Sequence, residues 1–338
     1  MSQNTASKMI NRKISVAPMM DWTDRHCRYF HRLLSSEILL YTEMVTSAAI
    51  VFGDSERLLD YNECEHPIAL QLGGSDPEQL AKACHIVKAF NYDEVNLNVG
   101  CPSDRVQSGR FGACLMAEPE RVADCVSAMM ANSDAEVTVK TRIGIDEFDS
   151  YEFLTQFIEK VSDAGCRSFS IHARKAWLKG LSPKQNREVP ELNYLRAHQL
   201  KKDFPHLEII VNGGICSMEQ VKEQLQWVDG VMIGRAAYQH PMLLTQVDPE
   251  FFGHPSPFKG GAETIRAMYP YMESQLALGV KLSSMTRHLL GLFQGCPGAK
   301  LFRRYLSENA PKTGAGIEVL ELGLSILQQE LLREEAML

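Results

Sequence analysis

The 338-residue sequence lacks several patterns that would place it in a familiar class of protein. Its nine cysteines are odd in number and scattered, without a Cys-x-x-Cys pair or a histidine at zinc-finger spacing, so we expect neither a disulfide framework nor a metal site. It has no apolar run long enough to cross a bilayer. The polar segment 1–13 lacks the apolar core of a signal peptide. We therefore expect a cytoplasmic protein that binds neither metal nor membrane.

An excess of positive charge is also missing. The net charge is −7, from 35 basic and 42 acidic residues. Indiscriminate binding of polyanions is excluded, because phosphate contacts need local Lys and Arg. Any nucleic-acid site must be a patch on the surface. The composition, 45% hydrophobic and 23% charged, is ordinary for a folded protein.

Short β-rich apolar runs alternate with helical periodicity over the first two thirds of the chain, which is the pattern of βαβ units. The runs predict strands at 14–19, 39–45, 67–72, 94–99, 137–142, 168–173, 208–212 and 230–233. Eight such units fit a closed (β/α)8 TIM barrel of about 250 residues. A doubly wound open sheet is the alternative. We favour the barrel because PMMD, and no Gly-rich dinucleotide turn, follows the first strand.

A Gly- and Pro-rich segment, FFGHPSPFKGG at 251–261, interrupts this pattern. We predict that it links a barrel of residues 1–250 to a second domain of residues 262–338. Apolar residues recur at helical spacing near 262–278, 282–290, 298–309 and 317–335. The C-terminal domain is therefore predicted to be an all-α helical bundle.

Polar residues stand at the ends of several predicted strands, where the active site of a (β/α)8 barrel lies. They are Gln71, Asn96, Asn98, Cys101, Lys140, Arg142, His172, Arg174 and Asn212. A solvated strand face does not explain them, because barrel strands are covered on both sides. A single buried lysine could belong to a structural ion pair, but convergence of several polar strand ends predicts a functional site.

Two glycine-containing segments, VNGGI at 211–215 and GVMIGRA at 230–236, end the last two predicted strands. Glycine lets backbone N–H groups approach a phosphate, and Arg235 can add a charge-assisted contact. The pair predicts a phosphorylated ligand.

Lys140 is compatible with two ligands, as the Schiff-base nucleophile of an aldolase or as a positive charge beside a flavin. The Gln, Asn and Met side chains around it favour a flavin. Reduced flavin carries negative charge near N1 and O2, which a fixed lysine stabilises. Gln71 and the segment containing Pro18, Met19 and Met20 are predicted to contact the polar edge of the ring.

Cys101 lies in NLNVGCPS, directly after the fourth predicted strand. A cysteine is most often buried filler, but a polar barrel mouth favours a chemical role. No neighbouring base marks it as an acylating nucleophile. A neutral thiol, with an ordinary pKa of about 8.5, can instead donate a proton to a carbanion or enolate.

Together these segments resemble the tRNA-dihydrouridine synthases. The matching motifs, in the family's order, are APMMDWTD (17–24), QLGGSDP (71–77), NLNVGCPSDRVQSGRFGACLM (96–116), VKTRIG (139–144), IHAR (171–174), NGGI (212–215) and GRAAY (234–238). The N-x-GCP run with its Gly-rich loop is the most specific of them. The segments KAWLKGLSPKQNR and GLFQGCPGAKLFRRYLSENA make the chain similar to the A subfamily, which modifies D-loop uridines 20 and 20a.

The resemblance implies bound FMN and a hydride supplied by NADPH, with NADH as an alternative reductant. It implies that FMN contacts Lys140, His172, Asn212, Gly213, Gly214, Gly234 and Arg235. It also implies that hydride adds to C6 of uracil while Cys101 protonates C5. Asn98 is then placed to read the base, with His172 and Arg174 as neighbours. The sequence departs from the family motif at Lys300 and Phe302, where Arg and Trp are expected, and lysine loses the bidentate geometry of arginine.

Two basic segments predict a surface for tRNA. Segment 172–187 carries Arg174, Lys175, Lys179, Lys184 and Arg187, and segment 287–312 carries Arg287, Lys300, Arg303, Arg304 and Lys312 against Glu308 alone. Such charges often form only a solvated face. We expect Arg174, Lys184, Arg187, Lys300 and Arg303 to contact tRNA, and we expect a monomer. The alternatives are a flavin barrel that reduces a free small molecule, such as a dihydroorotate or dihydropyrimidine dehydrogenase, and a non-catalytic RNA-binding protein on a degenerate barrel.

Overall fold

The computed structural model describes residues 10–336, so segment 1–9 and residues 337–338 lie outside it. Eight parallel strands close into a barrel in chain order, and the predicted (β/α)8 TIM barrel is confirmed. The strands are β1 (Ile14–Val16), β2 (Leu39–Thr46), β3 (Ile68–Gly73), β4 (Glu94–Val99), β5 (Glu136–Arg142), β6 (Ser168–His172), β7 (Glu208–Asn212) and β8 (Gly230–Ile233).

The first strand is shorter than the predicted 14–19. The backbone N–H of Ala17 still donates to the carbonyl of Ile233, at 2.8 Å. Pro18 then has no N–H to continue the ladder, so the strand ends at Val16.

Helices accompany the strands of the barrel. They are α1 (Arg25–Leu34), α2 (Ser47–Phe52), α3 (Ser55–Leu59), α4 (Pro77–Val87), α5 (Asp104–Ser108), α6 (Pro119–Asn132), α7 (Tyr151–Asp163), α8 (Tyr194–Asp203), α9 (Met218–Gln224) and α10 (Arg235–Gln239). Side-chain caps begin several of them: Asp76, Ser150 and Ser217 each accept a hydrogen bond from the backbone N–H three residues on. Within residues 10–336, no helix is both long and apolar enough to span a membrane.

The N-terminal end of the barrel, its floor, is closed by a charge cluster around the buried Arg12. Arg12 donates to Glu94 at 2.6 Å, to Glu136 at 2.7 Å and to Glu208 at 3.0 Å, and each glutamate is the first residue of its strand. Burial alone would lower the pKa of Arg12, but the carboxylates outweigh it and raise that pKa. The floor is therefore a fixed centre of net negative charge.

Further helices form the C-terminal part of the chain. They are α11 (Gly261–Ala267), α12 (Tyr269–Ala277), α13 (Leu282–Thr286), α14 (Ala299–Asn309) and α15 (Glu318–Glu335), and this C-terminal helical domain agrees with the predicted fold class. The predicted stretch 262–278 is divided into two helices, because a new helix, α12, begins at Tyr269 with Pro270 in its first turn. Phe302 on α14 is fully buried and meets Phe293 edge to face, so the departure from Trp at this position is accommodated inside the core.

The described residues divide into two compact units. One contains Ile38–Gly234 and the residues before Asp24; the other contains Asp24–Glu37 and the residues from Arg235 onward. Helix α1 therefore groups with the C-terminal helices, where the His26 ring nitrogen lies 2.6 Å from the Tyr271 hydroxyl. The predicted division into 1–250, 251–261 and 262–338 differs from this grouping, and the functional domain boundary stays a prediction.

Buried histidines in the second unit couple its stability to pH. Burial lowers the pKa of His31 to about 3 and that of His26 to about 4. Both states of the chain hold these rings neutral above the ordinary pKa of about 6.5. Below it the unfolded chain binds protons that the folded chain does not, so the folded state loses stability as pH falls.

We expect the melting temperature to fall between pH 7 and pH 5, with each of these histidines costing about 2 kcal/mol at pH 5. In His31→Gln the fall should be clearly smaller, as measured by differential scanning fluorimetry at both pH values. His85→Gln is the matched control, because His85 is exposed and should leave the wild-type pH dependence unchanged. An equal fall in His31→Gln and wild type would contradict this assignment.

Candidate active site in the barrel mouth

The strand register brings the predicted polar residues together at the C-terminal end of the barrel, its mouth. Asn98 on β4 stands opposite Lys140 on β5, and His172 on β6 stands between Arg142 on β5 and Asn212 on β7. Adjacent strands thus supply an amide, an ammonium, an imidazole and a second amide to one opening.

Lys140 is held by an amide and not by a carboxylate. Its Nζ donates to Oδ1 of Asn212 at 3.1 Å, and Nδ2 of Asn212 donates to the carbonyl of Met232 at 2.7 Å. Among the side chains that the structure describes, which do not include those of Asp104 and Glu335, no carboxylate forms an ion pair with Lys140. Burial, with a contribution from Arg142, lowers the pKa of Lys140 to about 7. An anionic group bound beside it would favour the charged ammonium, so the lysine suits a ligand that gains negative charge.

Cys101 sits on a turn that Asn98 organises. Oδ1 of Asn98 accepts hydrogen bonds from the backbone N–H groups of Gly100, at 3.1 Å, and Cys101, at 3.0 Å. The carbonyl of Cys101 accepts from Ala113 at 2.9 Å. Gly112 has φ +78°, and a Cβ there would lie 2.5 Å from that carbonyl, so glycine is required for this approach. The half-buried thiol, 3.5 Å from the Ser103 hydroxyl, lies at the same barrel end as Lys140.

Arg142 joins the loops that follow β4 and β6. Its Nε donates to the carbonyl of Gly100 at 2.8 Å, and its Nη1 donates to the carbonyls of Lys175 and Asn186, both at 3.1 Å. Backbone carbonyls thus serve as the hydrogen-bond partners of this buried charge. Burial lowers the pKa of Arg142 to about 10.

His172 is kept neutral beside the glycines that follow β7. Burial and then the positive charge of Arg142 and Lys140 hold the pKa of His172 well below its usual range. Gly213, with φ +114°, packs so closely that a Cβ would lie 2.7 Å from Cδ2 of His172. Gly214, with φ +72°, leaves no room either. The NGG motif therefore keeps a narrow, side-chain-free surface next to a neutral imidazole.

The segment after β1 contributes less backbone than expected. The N–H of Met19 donates to the Thr23 hydroxyl at 3.0 Å, and that of Ala17 is used by Ile233. The Met19 side chain packs against the core cluster that contains Met232, whereas Met20 is exposed. The N–H groups of Ala17 and Met19 are therefore already used within the protein.

Part of the predicted basic surface is neutralised within the chain. Lys175 pairs with Asp149 at 2.9 Å, Arg287 with Asp24 at 3.2 Å and Arg304 with Glu308 at 2.8 Å. Lys184 and Arg187 are exposed, and the Arg174 side chain donates to the carbonyl of Pro190. Lys300 is exposed and Arg303 half-buried; no ion pair of either occurs among the residues described. Arg235, the first residue of α10, directly follows Gly234.

Sequence reasoning missed two residues that hold these loops. Nε2 of Gln107 donates to the carbonyls of Pro102 and Leu178, both at 2.8 Å, and so ties the loop after β4 to the loop after β6. Asn186 is fully buried; it donates to the carbonyl of Trp177 at 2.9 Å and accepts from its N–H at 2.8 Å. Neither residue carries a signal in a single sequence, because polar residues are ordinary in loops.

A family model described as dihydrouridine synthase matches residues 15–329. The chain belongs to this family. A Vibrio vulnificus protein named tRNA-dihydrouridine(20/20a) synthase is 63% identical over 320 residues, which are 94% of this chain and 98% of the relative. Relatives of the same name from Shewanella oneidensis and Escherichia coli K12 are 59% and 60% identical, covering 97% and 93% of this chain and 98% and 91% of their own.

A solved structure, a 2-naphthoyl-CoA reductase in complex with 2-naphthoyl-CoA, matches at TM-score 0.54 and 11% identity, covering 72% of this chain and 50% of that one. At this identity the likeness concerns the fold alone. The resemblance read from the motifs is thus confirmed at the level of the family.

Replacing Asn186 should loosen the loop after β6. Asn186→Ala leaves the N–H and carbonyl of Trp177 without their side-chain partner, which should cost about 1–3 kcal/mol and raise the rate of tryptic cleavage after Lys179 about tenfold. Gln185→Ala is the control, because that side chain is exposed and bonds only to the nearby Ser182. Equal cleavage rates in the two variants would refute the role given to Asn186.

Proposed function

We propose that this protein reduces uridines 20 and 20a in the D loop of tRNA to dihydrouridine, with FMN as bound cofactor and NADPH as reductant. The observation that carries the proposal is the single mouth that presents Cys101, Asn98 and Lys140 together, with the lysine bound to the amide of Asn212. The near-full-length relatives named for this activity support it.

The residues of the mouth fit FMN. Lys140 offers an ammonium to an anionic ring edge, and Gly213 and Gly214, both at positive φ, offer backbone without side chains to a phosphate. When bound, FMN would supply a hydride for C6 of uracil, with NADPH as the source of reducing equivalents. The residues proposed to hold it are Pro18, Met19, Met20, Gln71, Lys140, His172, Asn212, Gly213, Gly214, Gly234 and Arg235.

The base must leave the stacked tRNA before it can enter the mouth. Asn98, still partly accessible, is proposed to hydrogen-bond the polar edge of uracil. Neutral His172 can donate or accept there without adding a charge. Arg174 and the exposed Lys184 and Arg187 are proposed to contact the flanking backbone.

Cys101 is proposed to protonate C5 of the base. As hydride adds at C6, negative charge develops at C5 and O4, and the thiol proton moves to C5. The thiolate left behind lies within the field of Lys140 and Arg142, because charge on Cys101 raises the pKa of both. These cations therefore stabilise the sulfur after it has given up its proton.

Cys101→Ala should leave reduction of the flavin by NADPH unchanged but slow dihydrouridine formation about 10²–10⁴-fold, the range for loss of a general acid. The measurement is a single-turnover assay with tRNA, with free uridine as a comparison substrate that we expect to remain unreduced. Cys114→Ala is the matched control, since Cys114 is a half-buried cysteine of the same loop whose thiol contacts the Phe111 carbonyl. A wild-type rate in Cys101→Ala would remove Cys101 from this role.

The helical unit is proposed to contribute phosphate contacts from Lys300 and Arg303. Arg303→Ala should weaken tRNA binding and lower the slope of log affinity against log salt by about 1. Arg304→Ala should change both less, because Arg304 is already paired with Glu308. Titrations at several salt concentrations measure both effects. If the two variants bound equally well, Arg303 would not be a phosphate contact.

A further inference from the structure

We propose that Thr138 and Asn96 are positioning residues that fix the orientation of the Asn98 amide, and through it Cys101, by a one-directional chain of hydrogen bonds along the barrel interior. The inference rests on the proposed function, in which Asn98 holds the base and Cys101 supplies the proton. In this proposal Thr138 and Asn96 themselves contact neither the base nor Cys101.

The upper part of the hydrogen-bond chain begins at the turn that contains Gly100 and Cys101. The N–H of Cys101 donates to Oδ1 of Asn98, at 3.0 Å. Nδ2 of Asn98 donates in turn to Oε1 of Gln71, at 2.8 Å. Because Oδ1 faces backbone donors, this amide has only N–H groups left for its other neighbours.

The lower part continues in the same direction. Nε2 of Gln71 donates to Oδ1 of Asn96 at 2.9 Å, Nδ2 of Asn96 donates to Oγ1 of Thr138 at 2.8 Å, and that hydroxyl donates to Oε1 of Glu94 at 2.5 Å. Each donor therefore points from the mouth towards the floor.

The two ends of the chain fix its direction. At the mouth the first groups are backbone N–H groups, which can only donate. At the floor Glu94 is a carboxylate paired with Arg12 at 2.6 Å, and it also accepts from the Tyr41 hydroxyl at 2.6 Å. Turning any single amide between these ends would set two donors or two acceptors face to face. The orientation of Asn98 is thus set jointly by the turn at the mouth and by Glu94 at the opposite end of the barrel.

Burial makes these bonds hard to replace. Gln71, Asn96, Thr138 and Glu94 are each at most 2% exposed. Since water does not reach these side chains, a broken link leaves unsatisfied groups that only rotation of the neighbouring amides can relieve. Loss of the Thr138 hydroxyl should therefore change the orientation of the Asn98 amide.

The direction of the chain also has a consequence for base selection. With Oδ1 committed to the turn and one N–H to Gln71, Asn98 can offer a base only its second N–H. A donor matches a carbonyl oxygen of uracil and opposes the 4-amino group of cytosine. The hydrogen-bond chain thereby makes Asn98 a donor that selects a carbonyl group on the base.

The test replaces the hydroxyl of Thr138 and keeps its shape. Thr138→Val should slow single-turnover dihydrouridine formation about tenfold, leave flavin reduction by NADPH within about twofold of wild type, and speed amide hydrogen exchange of the peptide 96–103, because the N–H of Cys101 loses a fixed acceptor. Thr138→Ser should restore all three properties. Thr264→Val removes a buried hydroxyl that donates to the Gly260 carbonyl and is the control for stability.

Wild-type turnover and exchange in Thr138→Val would overturn the proposal, as would equal loss of both half-reactions with a lowered melting temperature, or a serine variant as slow as the valine variant. Thr138→Ala keeps the test available if the valine variant does not fold. Failure of wild-type enzyme to form dihydrouridine would instead defeat the proposed function, and the exchange measurement would still decide on the hydrogen-bond chain.

Discussion

The site depends on a separation of charge along the barrel axis. The floor gathers three carboxylates around one guanidinium, whereas the mouth holds Lys140 and Arg142 without a carboxylate in ion-pair contact among the residues described. Buried charge of one sign is unfavourable unless a partner compensates it. The mouth is thus suited to a ligand that brings negative charge. The lowered pKa values of Lys140 and His172 have the same cause, since burial and neighbouring positive charge disfavour their protonated forms.

Most of the barrel could be predicted from the sequence because each strand is a local apolar run with its own signal. The residues that close the barrel could not. Glu94, Glu136 and Glu208 begin their strands and look like ordinary solvated carboxylates, and their convergence on the buried Arg12 exists only once distant strands meet. The grouping of α1 with the C-terminal helices was missed for the same reason, since His26 and Tyr271 are 245 residues apart.

At the site, the strand-end residues were predictable and their partners were not. The placement of Asn98, Lys140, His172 and Asn212 follows from position on a parallel strand, which the sequence displays. The number of unpaired basic residues in the two segments was overestimated, because the acids that neutralise Lys175 and Arg287 lie outside these segments in the sequence. The composition of a short segment does not reveal ion pairs with residues elsewhere in the sequence.

The floor of the barrel imposes an order on biosynthesis. Arg12 leaves the ribosome early, but its three carboxylate partners follow 82, 124 and 196 residues later. A nascent chain therefore cannot complete this cluster until the seventh strand has been translated. The barrel therefore closes late in translation. A ribosome stalled before Glu208 would expose an open β-sheet to chaperones.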